Sequence, residues 1–368
     1  MQIPGPTNVP DRVLRAIDAP TIDHRGPDFA TLGLEVLGGL REVFRTVGPV
    51  VVYPASGTGA WEAALVNTHS PGDKVIASET GHFATLWRAM AERLGLRVTW
   101  LEGDWRHGAD PERIADALDD DVRAVMVVHN ETSTGVTSRI PDIRAAMGDH
   151  DALLLVDTIS SLASIDYRHD EWGVDVTVGG SQKGLMLPAG LSFNAVSAKA
   201  LEASTSARLP RAYWDWAPII AANEAGFWPY TSATNLLYGL REALAMLREE
   251  GLEAVFARHA RHAAATRAAV RGWGLEVLAA DKRELSGSLT AVLFDGSDAL
   301  REVVLERFDM SLGAGLGRLA DRVFRIGHLG DFNDLMLAGT LCGVQMGLEL
   351  AGHDAGDGVG AALERLAR

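Results

Sequence analysis

The sequence is poor in cysteine and in positive charge, and each shortage excludes a class of function. Cys342 is the single cysteine among 368 residues, which excludes both a disulfide within the chain and a cysteine-based metal cluster. Such scarcity is typical of a reducing compartment, so we expect a cytoplasmic protein. The net charge of −15 repels phosphate backbones, and nucleic acid is therefore not an expected partner.

Several diagnostic signals are also missing from the chain. No run of about 18 apolar residues occurs, so no membrane-spanning helix is expected. The opening residues MQIPGPTNVP have neither the basic nor the apolar region of a secretory signal. The histidines show no HExxH pattern, and neither a GK[ST] nor a GxGxxG motif is present. We expect no metal site, no membrane contact, and neither a Walker-type nor a dinucleotide site.

What the chain does contain is a regular alternation of short apolar runs and amphipathic segments. The runs lie at 50–53, 74–78, 98–101, 124–129, 153–157, 174–178 and 191–196. Amphipathic segments such as 58–67 and 85–94 separate them. Strands alternating with helices predict an α/β fold, here with a mostly parallel, seven-stranded sheet covered on both faces.

This alternation stops near residue 204, and the pattern beyond it differs. An aromatic-rich stretch extends to about residue 235, and a long helix is predicted at 236–250. Further helices and the strands 275–278, 289–294 and 323–326 predict a smaller α+β domain. We predict three parts: an irregular N-terminal segment (1–15), a large domain (16–250) and a small C-terminal domain (251–368).

The strongest chemical signal is the pair Asp157 and Lys183. Asp157 ends the apolar run LLLVD, and the carboxyl end of a parallel strand points into the crevice where α/β proteins bind ligands. Lys183 lies in GGSQKGLMLPAG, where small and apolar neighbours favour a neutral, nucleophilic amine. A lysine that condenses with an aldehyde and a carboxylate that pairs with a pyridine nitrogen is the combination that pyridoxal 5'-phosphate (PLP) requires. Taken singly, each residue is better explained by a structural role, as a lysine on a surface loop or an aspartate that caps the next helix, and only the two contexts together favour the chemical role.

Two polar turns give weaker signals. The small-residue stretch 56–65 (SGTGAWEAAL) opens a helix, and the amides of Thr58, Gly59 and Ala60 are candidates for holding an anion. The stretch 129–136 (HNETSTGV) follows an apolar run and offers Thr132 as a hydrogen-bonding group. Either stretch alone is also compatible with a simple helix cap or a polar loop.

Arg325, in FRIGHLG, is flanked by Phe324 and Ile326 within a predicted strand. A buried guanidinium needs an anionic partner, and its planar fork suits a carboxylate. That carboxylate belongs either to a substrate or to an acidic side chain of the chain.

Other reactive residues are interpreted as structural. Cys342 lies in the apolar run LMLAGTLCGVQMGLEL and is predicted to be a core residue. His259 and His262, in ARHARHAA, are predicted to lie on a basic helix face.

Taken together, five ordered motifs resemble the class V aminotransferases, and more narrowly the serine–glyoxylate and alanine–glyoxylate aminotransferase group. The motifs are SGTGAWE, HNETSTGV, LLVDTISS, GSQKG and FRIGHLG, and the similarity extends from about residue 3 to about residue 348. The resemblance implies a fold-type-I PLP enzyme that forms a homodimer with active sites at the subunit interface. It also implies that the N-terminal segment lies over the active site.

The resemblance assigns roles to individual residues. Lys183 is implied to carry the cofactor and Asp157 to pair with its ring nitrogen, which makes these two the catalytic residues. Other residues are implied to surround the cofactor: Thr58, Gly59, Ala60, Phe83, Thr132, Ile159, Gln182 and, from the neighbouring subunit, Thr231. Residues implied to bind the substrate are Arg325, Pro6, Thr7 and Asn8.

The implied reaction moves an amino group from a small L-amino acid to glyoxylate or a similar 2-oxo acid, giving glycine. Serine and alanine are the favoured donors, although the segment TIDHRGPDF, with Arg25, resembles relatives that use aspartate. Two alternatives stay open at this stage. One is another class V enzyme with a different amine donor, and the other is a non-catalytic PLP-binding scaffold.

Overall fold

The computed structural model describes residues 1–367, and a seven-stranded sheet forms its centre, in the order β1-β9-β8-β7-β4-β2-β3. The strands of this sheet are β1 Val50–Tyr53, β2 Lys74–Ser78, β3 Arg97–Leu101, β4 Val122–Val128, β7 Leu153–Asp157, β8 Val176–Gly180 and β9 Ser192–Val196. Only β9 pairs antiparallel, with β1 on one side and β8 on the other. The predicted mostly parallel, seven-stranded sheet is therefore confirmed.

Continuous apolar runs in the central strands bury both faces of the sheet. In β7, Leu153 and Leu155 pack into one core, whereas Leu154 and Val156 pack into a second core on the opposite face. This follows from the two-residue repeat of a strand, which sends successive side chains to opposite faces. Because β4 and β7 are parallel, their carboxyl ends lie at the same edge of the sheet.

Helices connect and cover these strands. They are α1 Asp11–Ile17, α2 Pro27–Phe44, α3 Gly57–Thr68, α4 His82–Arg93, α5 Pro111–Ala117, α6 Ile140–Met147, α7 Ala198–Ser206, α8 Trp216–Asn223 and α9 Thr234–Glu250. The helix α3 follows β1 directly and α4 follows β2, so both begin at the edge where the parallel strands end. The short strands β5 Asn130–Glu131 and β6 Val136–Thr137 form a hairpin after β4.

The C-terminal part has a sheet and a core of its own. Its four strands, in the order β10-β11-β13-β12, are β10 Glu276–Val277, β11 Leu289–Leu293, β12 Gly313–Ala314 and β13 Val323–Gly327. Its helices are α10 Leu252–Gly272, α11 Ser297–Phe308, α12 Asp334–Leu350 and α13 Gly358–Leu366. The predicted boundary at residue 251 stays a prediction, although it coincides with the turn between α9 and α10.

The structure corrects two expectations about reactive side chains. Cys342 lies on α12 as expected, but it is exposed rather than in the core, because the apolar face of that helix is formed by neighbours such as Leu341 and Val344. His259 and His262 lie on α10 but are fully buried, not on a basic surface. Within residues 1–367, no helix combines the length and the apolar character that crossing a bilayer requires.

Candidate active site

A cavity of about 250 Å³ opens at the carboxyl ends of β4 and β7. It brings together residues from the N-terminal segment, the start of α3, the start of α4 and the loop after β8. The residues that line it are Gly5, Pro6, Ser56, Gly57, Thr58, Trp61, Phe83, Val128, Asn130, Thr132, Asp157, Ile159, Gln182, Lys183 and Ala189. Eight of the sequence-predicted site residues are among them.

Lys183 lies in the loop between β8 and β9 and is almost completely buried. Its carbonyl accepts hydrogen bonds from the Met186 amide and from the Thr7 hydroxyl, and its ammonium group donates to the carbonyl of Pro4. Burial, together with the positive charge of Arg325, lowers the pKa of Lys183 to about 7. The amine is therefore much more nucleophilic at neutral pH than that of an ordinary lysine.

Asp157, the last residue of β7, is held by two donors of the chain. Its Oδ1 accepts a hydrogen bond of 2.7 Å from the Ile159 amide, and its Oδ2 accepts one of 2.9 Å from Nε1 of Trp61. Burial raises the pKa of Asp157 to about 7, and the two hydrogen bonds oppose that rise. A positively charged group in the cavity would favour the ionised form of Asp157 and pair with it.

The beginning of α3 forms an anion-binding end of the cavity. The amides of Gly57 and Thr58 donate to no group in the part of the chain that the structure describes, whereas the Gly59 amide donates to the Ser56 carbonyl at 2.9 Å. Free amides at a helix start attract an anion through their N–H groups and the helix dipole. Nearby, Oε1 of Gln182 is buried without a partner among residues 1–367.

Phe83 forms an apolar part of the cavity lining, and the buried side chain of Glu131 fixes its position. The side chain of Glu131 is fully buried and accepts hydrogen bonds from the amides of Phe83 (3.4 Å) and Ala84 (3.1 Å) at the start of α4. It also accepts one from the hydroxyl of Ser133, at 2.6 Å. Glu131 therefore fixes the N-terminal turn of α4 in the position that brings Phe83 to the cavity.

Arg325 lies next to the cavity rather than in its wall. Its Nε donates to the Ala314 carbonyl and its Nη1 to the Thr132 carbonyl, both at 2.7 Å. It forms no ion pair with an acidic side chain anywhere in residues 1–367, although the charge of Glu131 acts on it from a distance. The alternative of an internal salt bridge at Arg325 is thus not realised, and the buried guanidinium has no directly bonded counter-charge.

The N-terminal segment closes one side of the cavity. Gly5 and Pro6 line it, and the Thr7 amide donates to the Gln182 carbonyl at 3.1 Å. Gly5 has a φ of +105°, and a Cβ there would approach Nζ of Lys183 to 2.7 Å, so a glycine is required. Asn8 is turned away, with its amide bonded to the Met1 carbonyl.

Two further predicted residues lie outside the cavity of their own chain. Ala60 is fully buried one turn into α3, and Thr231 is exposed to solvent. The exposure of Thr231 agrees with a role toward a neighbouring subunit, and that role stays a prediction. The cavity also contains residues that the sequence did not single out, among them Trp61 and Asn130. The indole of Trp61 was hidden from pattern reasoning because its partner, Asp157, is 96 positions away.

A second, larger concavity of about 440 Å³ lies beside β2 and β3. Its lining contains four acidic side chains, a histidine and an arginine but no lysine; the acidic residues are Glu79, Glu102, Asp104 and Asp110. In the part of the chain that the structure describes, no cluster of three or more His, Cys, Asp or Glu side chains has the geometry of a metal site. The chemistry therefore points to the smaller cavity.

The groups around the smaller cavity fit PLP. An amine of lowered pKa, a buried carboxylate and free helix-start amides match its aldehyde, ring nitrogen and phosphate, while Phe83 and Ile159 offer apolar surfaces to a ring. The model of the family described as aminotransferase class V matches residues 39–308. The chain belongs to the class V aminotransferase family. It is a PLP-dependent transaminase.

Individual relatives agree with this family. The serine–glyoxylate aminotransferase of Methylorubrum extorquens is 49% identical over 361 residues, covering 94% of this chain and 90% of the relative. The L-aspartate–glyoxylate aminotransferase of Paracoccus denitrificans is 44% identical over 374 residues, covering 98% and 94%. The crystal structure of ureidoglycine–glyoxylate aminotransferase from Bacillus subtilis superposes with a TM-score of 0.92 at 29% identity, covering 100% of this chain and 97% of that one. The fold-type-I expectation is confirmed by such neighbours.

Proposed function

We propose that the protein transfers the amino group of a small L-amino acid to glyoxylate or a similar 2-oxo acid, with glycine as the product from glyoxylate. The observation that carries the proposal is that Lys183 and Asp157 line one cavity of about 250 Å³, and that Arg325 lies beside it, bonded to the carbonyl of the lining residue Thr132. Relatives that are 44–49% identical over nearly their whole length have names that specify glyoxylate as the acceptor. Serine and alanine are the favoured donors, and aspartate is the third candidate.

Lys183 has two tasks in this proposal. Its amine carries the cofactor, and once an amino acid has displaced it, Nζ is the base that takes the Cα proton of that amino acid. A pKa of about 7 suits both tasks, because the amine then accepts and releases a proton near neutral pH. The Pro4 carbonyl, which accepts a hydrogen bond from Nζ, keeps the amine directed toward the N-terminal segment.

Asp157 keeps the ring nitrogen of the cofactor protonated. When bound, PLP supplies an electron sink for the charge that develops at Cα. Asp157 maintains that sink only while it is ionised, and burial alone opposes ionisation. The hydrogen bonds from Ile159 and Trp61 favour the ionised form, as a positively charged ring nitrogen would.

Arg325 binds the α-carboxylate that the amino donor and the 2-oxo acid have in common. Its charge is buried and, among the residues that the structure describes, is bonded only to carbonyl oxygens, so a substrate carboxylate would supply a counter-ion. Residues Pro6 and Thr7 would restrict access of water from the side of the N-terminal segment. Asn8 is proposed to reach the substrate only if that segment moves.

We further propose a homodimer that shares its active sites. The hydroxyl groups of Tyr230 and Ser232, the two neighbours of the exposed Thr231 in the chain, are buried without partners among residues 1–367. Elsewhere in the chain, Nε2 of His24 is also buried without a partner among these residues. Buried polar groups normally have hydrogen-bond partners. Because these atoms are already inaccessible in the single chain, a second subunit would give them partners only by rearranging the segment around Thr231. Light scattering at the eluting peak should give twice the mass of the 39.3 kDa chain. A cytoplasmic location stays a prediction from the scarcity of cysteine.

The test is an absorbance spectrum of the protein reconstituted with PLP. L-serine, L-alanine and L-aspartate are added in turn, glyoxylate follows, and glycine is measured by chromatography. The cofactor band should disappear with at least one donor and return with glyoxylate. A band that none of the three donors changes would refute the proposed donors.

A separate variant tests which amino acid is the amino donor. Arg25 is exposed next to the turn that begins α2, and its amide donates to Oδ1 of Asp23. If the donor is aspartate, Arg25→Ala should raise KM for aspartate and leave KM for serine unchanged, because only aspartate has a second carboxylate. An equal effect on both donors would assign Arg25 to the subunit interface.

A further inference from the structure

One of the two donors that hold the carboxylate of Asp157 comes from a different element of the fold. Nε1 of Trp61 donates to Oδ2 at 2.9 Å, while the Ile159 amide occupies Oδ1 at 2.7 Å. Two donors that approach different oxygens fix the plane of the carboxylate as well as its position. The Ile159 bond is local, two residues along the chain, whereas Trp61 reaches Asp157 from another element, α3.

Trp61 is itself held rigidly. It is 3% exposed and its ring stacks on that of Trp87 from α4, with centroids 5.8 Å apart and an angle of 14°. Both helices begin at the edge of the sheet where Asp157 ends β7. An indole packed in this way loses little conformational entropy when it donates a hydrogen bond, which suits a group that must orient another.

We propose that Trp61 is a positioning residue, whose indole N–H holds the carboxylate of Asp157 ionised and correctly oriented toward the ring nitrogen of the cofactor. This inference rests on the proposed function of Asp157. The hydrogen bond is to a charged acceptor in a buried site, where such bonds are stronger than those between neutral groups. Without it, burial would act on Asp157 with only the Ile159 amide to oppose it.

The pair of stacked tryptophans provides a matched control. Nε1 of Trp87 is buried and has no hydrogen-bond partner in the described chain, whereas Nε1 of Trp61 donates to Asp157. Trp61→Phe and Trp87→Phe therefore remove the same atoms from the same stack, but only the first removes a donor from the carboxylate. The other ionisable side chains whose charges act on Asp157, Glu131 and Lys183, are unchanged in both variants.

The first measurement is a pH titration of the visible absorbance of each protein reconstituted with PLP. With Trp61→Phe, the ring nitrogen is held less firmly in its protonated form, and the nearby nitrogen of Lys183 that carries the cofactor loses a repelling charge. We expect the pKa of this Lys183 nitrogen to rise by about one unit, and the dissociation constant of the cofactor to increase roughly tenfold. Trp87→Phe should titrate as the wild type does. Turnover of Trp61→Phe should fall in kcat more than KM rises.

The outcomes separate this inference from the proposed function. If the wild type develops no cofactor band with PLP, the proposed function fails. If the wild type develops the band but Trp61→Phe titrates like Trp87→Phe, only the role of Trp61 is refuted. A double-mutant cycle with Asp157→Asn gives a further check, because Trp61→Phe should add no further shift once the carboxylate is absent. An undiminished additional shift would also refute it.

A second measurement does not depend on the folding of Trp61→Phe. Among the nine tryptophans, the indole N–H of Trp61 should show a ¹⁵N–¹H signal that follows the titration of Asp157 in the protein without cofactor. That pH dependence should be missing in Asp157→Asn, while any other titrating indole signals persist. If the wild type and Asp157→Asn show the same set of titrating indole signals, the proposal is overturned.

Discussion

Replacing Arg325 by methionine tests which residue anchors the substrate carboxylate. Methionine keeps an unbranched side chain in β13 but removes the charge and every N–H donor. Arg325 is 7% exposed, and within residues 1–367 its guanidinium is bonded only to the carbonyls of Ala314 and Thr132. Since one nitrogen of its fork, Nη2, donates to neither carbonyl, it can still donate to a ligand.

The expected loss of substrate affinity follows from the burial of the pair formed by Arg325 and the substrate carboxylate. Removing one member of a buried, hydrogen-bonded charge pair costs about 2–5 kcal/mol. At about 1.4 kcal/mol for each factor of ten, substrate affinity should fall by roughly 30-fold to several thousand-fold. The loss should be similar for the amino acid and for the 2-oxo acid, because both present the same α-carboxylate to Arg325.

The assay is a spectral titration of the PLP-bound variant with the amino acid, which gives Kd without requiring turnover. Arg301→Met is the matched control: Arg301 lies near enough to lower the pKa of Arg325, but it pairs with Asp298 and donates to the Leu312 carbonyl. Its Kd should stay close to that of the wild type. An unchanged Kd for Arg325→Met, or an equal loss in both variants, would refute the reasoning.

The remaining predictions concern the cofactor site. Lys183→Ala should abolish turnover while PLP still binds non-covalently, and measurable transamination would contradict its role. Burial gives Asp157 a folded-state pKa of about 7, above its unfolded value, so it stabilises the protein without cofactor at low pH and that stability is lost as pH rises through 7. In denaturant titrations without PLP, the free energy of unfolding of Asp157→Asn should therefore exceed that of the wild type by up to about 4 kcal/mol at pH 8 and should equal it at pH 4. An equal increase at both pH values would contradict this role of burial. A Cβ at Gly57 would lie 2.2 Å from Cδ1 of Ile159, so Gly57→Ala should displace the Ile159 side chain, which lines the cavity, and weaken PLP binding about tenfold. Gly38→Ala, where a Cβ would meet open space, should leave PLP binding unchanged.

Patterns that depend on neighbours in the chain were predictable from sequence. The run LLLVD predicted a strand buried on both faces with Asp157 at its end, and the structure confirms the strand and its burial. Small residues around Lys183 predicted a buried lysine, and the side chain is 7% exposed. In both cases the chemistry follows from a few adjacent residues, which set the local backbone and the degree of burial.

Helix faces were less predictable than strands. In α10, histidines and arginines are interleaved with alanines, so no apolar stripe distinguishes the inner face. His259 and His262 are nevertheless inside, where the first accepts a hydrogen bond from the Gly330 amide and the second bonds to Asp334. In α12 the opposite error occurred, since nearly every position is apolar and Cys342 lies on the one face that meets solvent. Only tertiary packing decides which face a helix of uniform composition buries.

Contacts between distant segments were not predictable at all. Glu131 appeared in the sequence as one polar residue of a loop, yet it holds the first turn of α4 through the amides of Phe83 and Ala84. The carbonyl partners of Arg325 come from β12 and from Thr132, 193 positions away. Such pairs depend on the tertiary packing of two distant chain segments, and a single sequence does not reveal which segments pack together.

The ionisable groups of the site share one physical condition, which links its stability to its chemistry. Lys183, Asp157 and Arg325 are all nearly inaccessible, and for each of them burial is the largest influence on the pKa and disfavours the charged form. The protein without ligands thus holds three polar groups whose partners are mainly backbone groups and one indole. A cofactor with a ring nitrogen and a substrate with a carboxylate would satisfy Asp157 and Arg325 in turn, and their binding should stabilise the fold accordingly. The burial that disfavours the charged forms of these side chains also shifts their pKa values toward neutrality, and it therefore suits them to react with a bound cofactor and substrate.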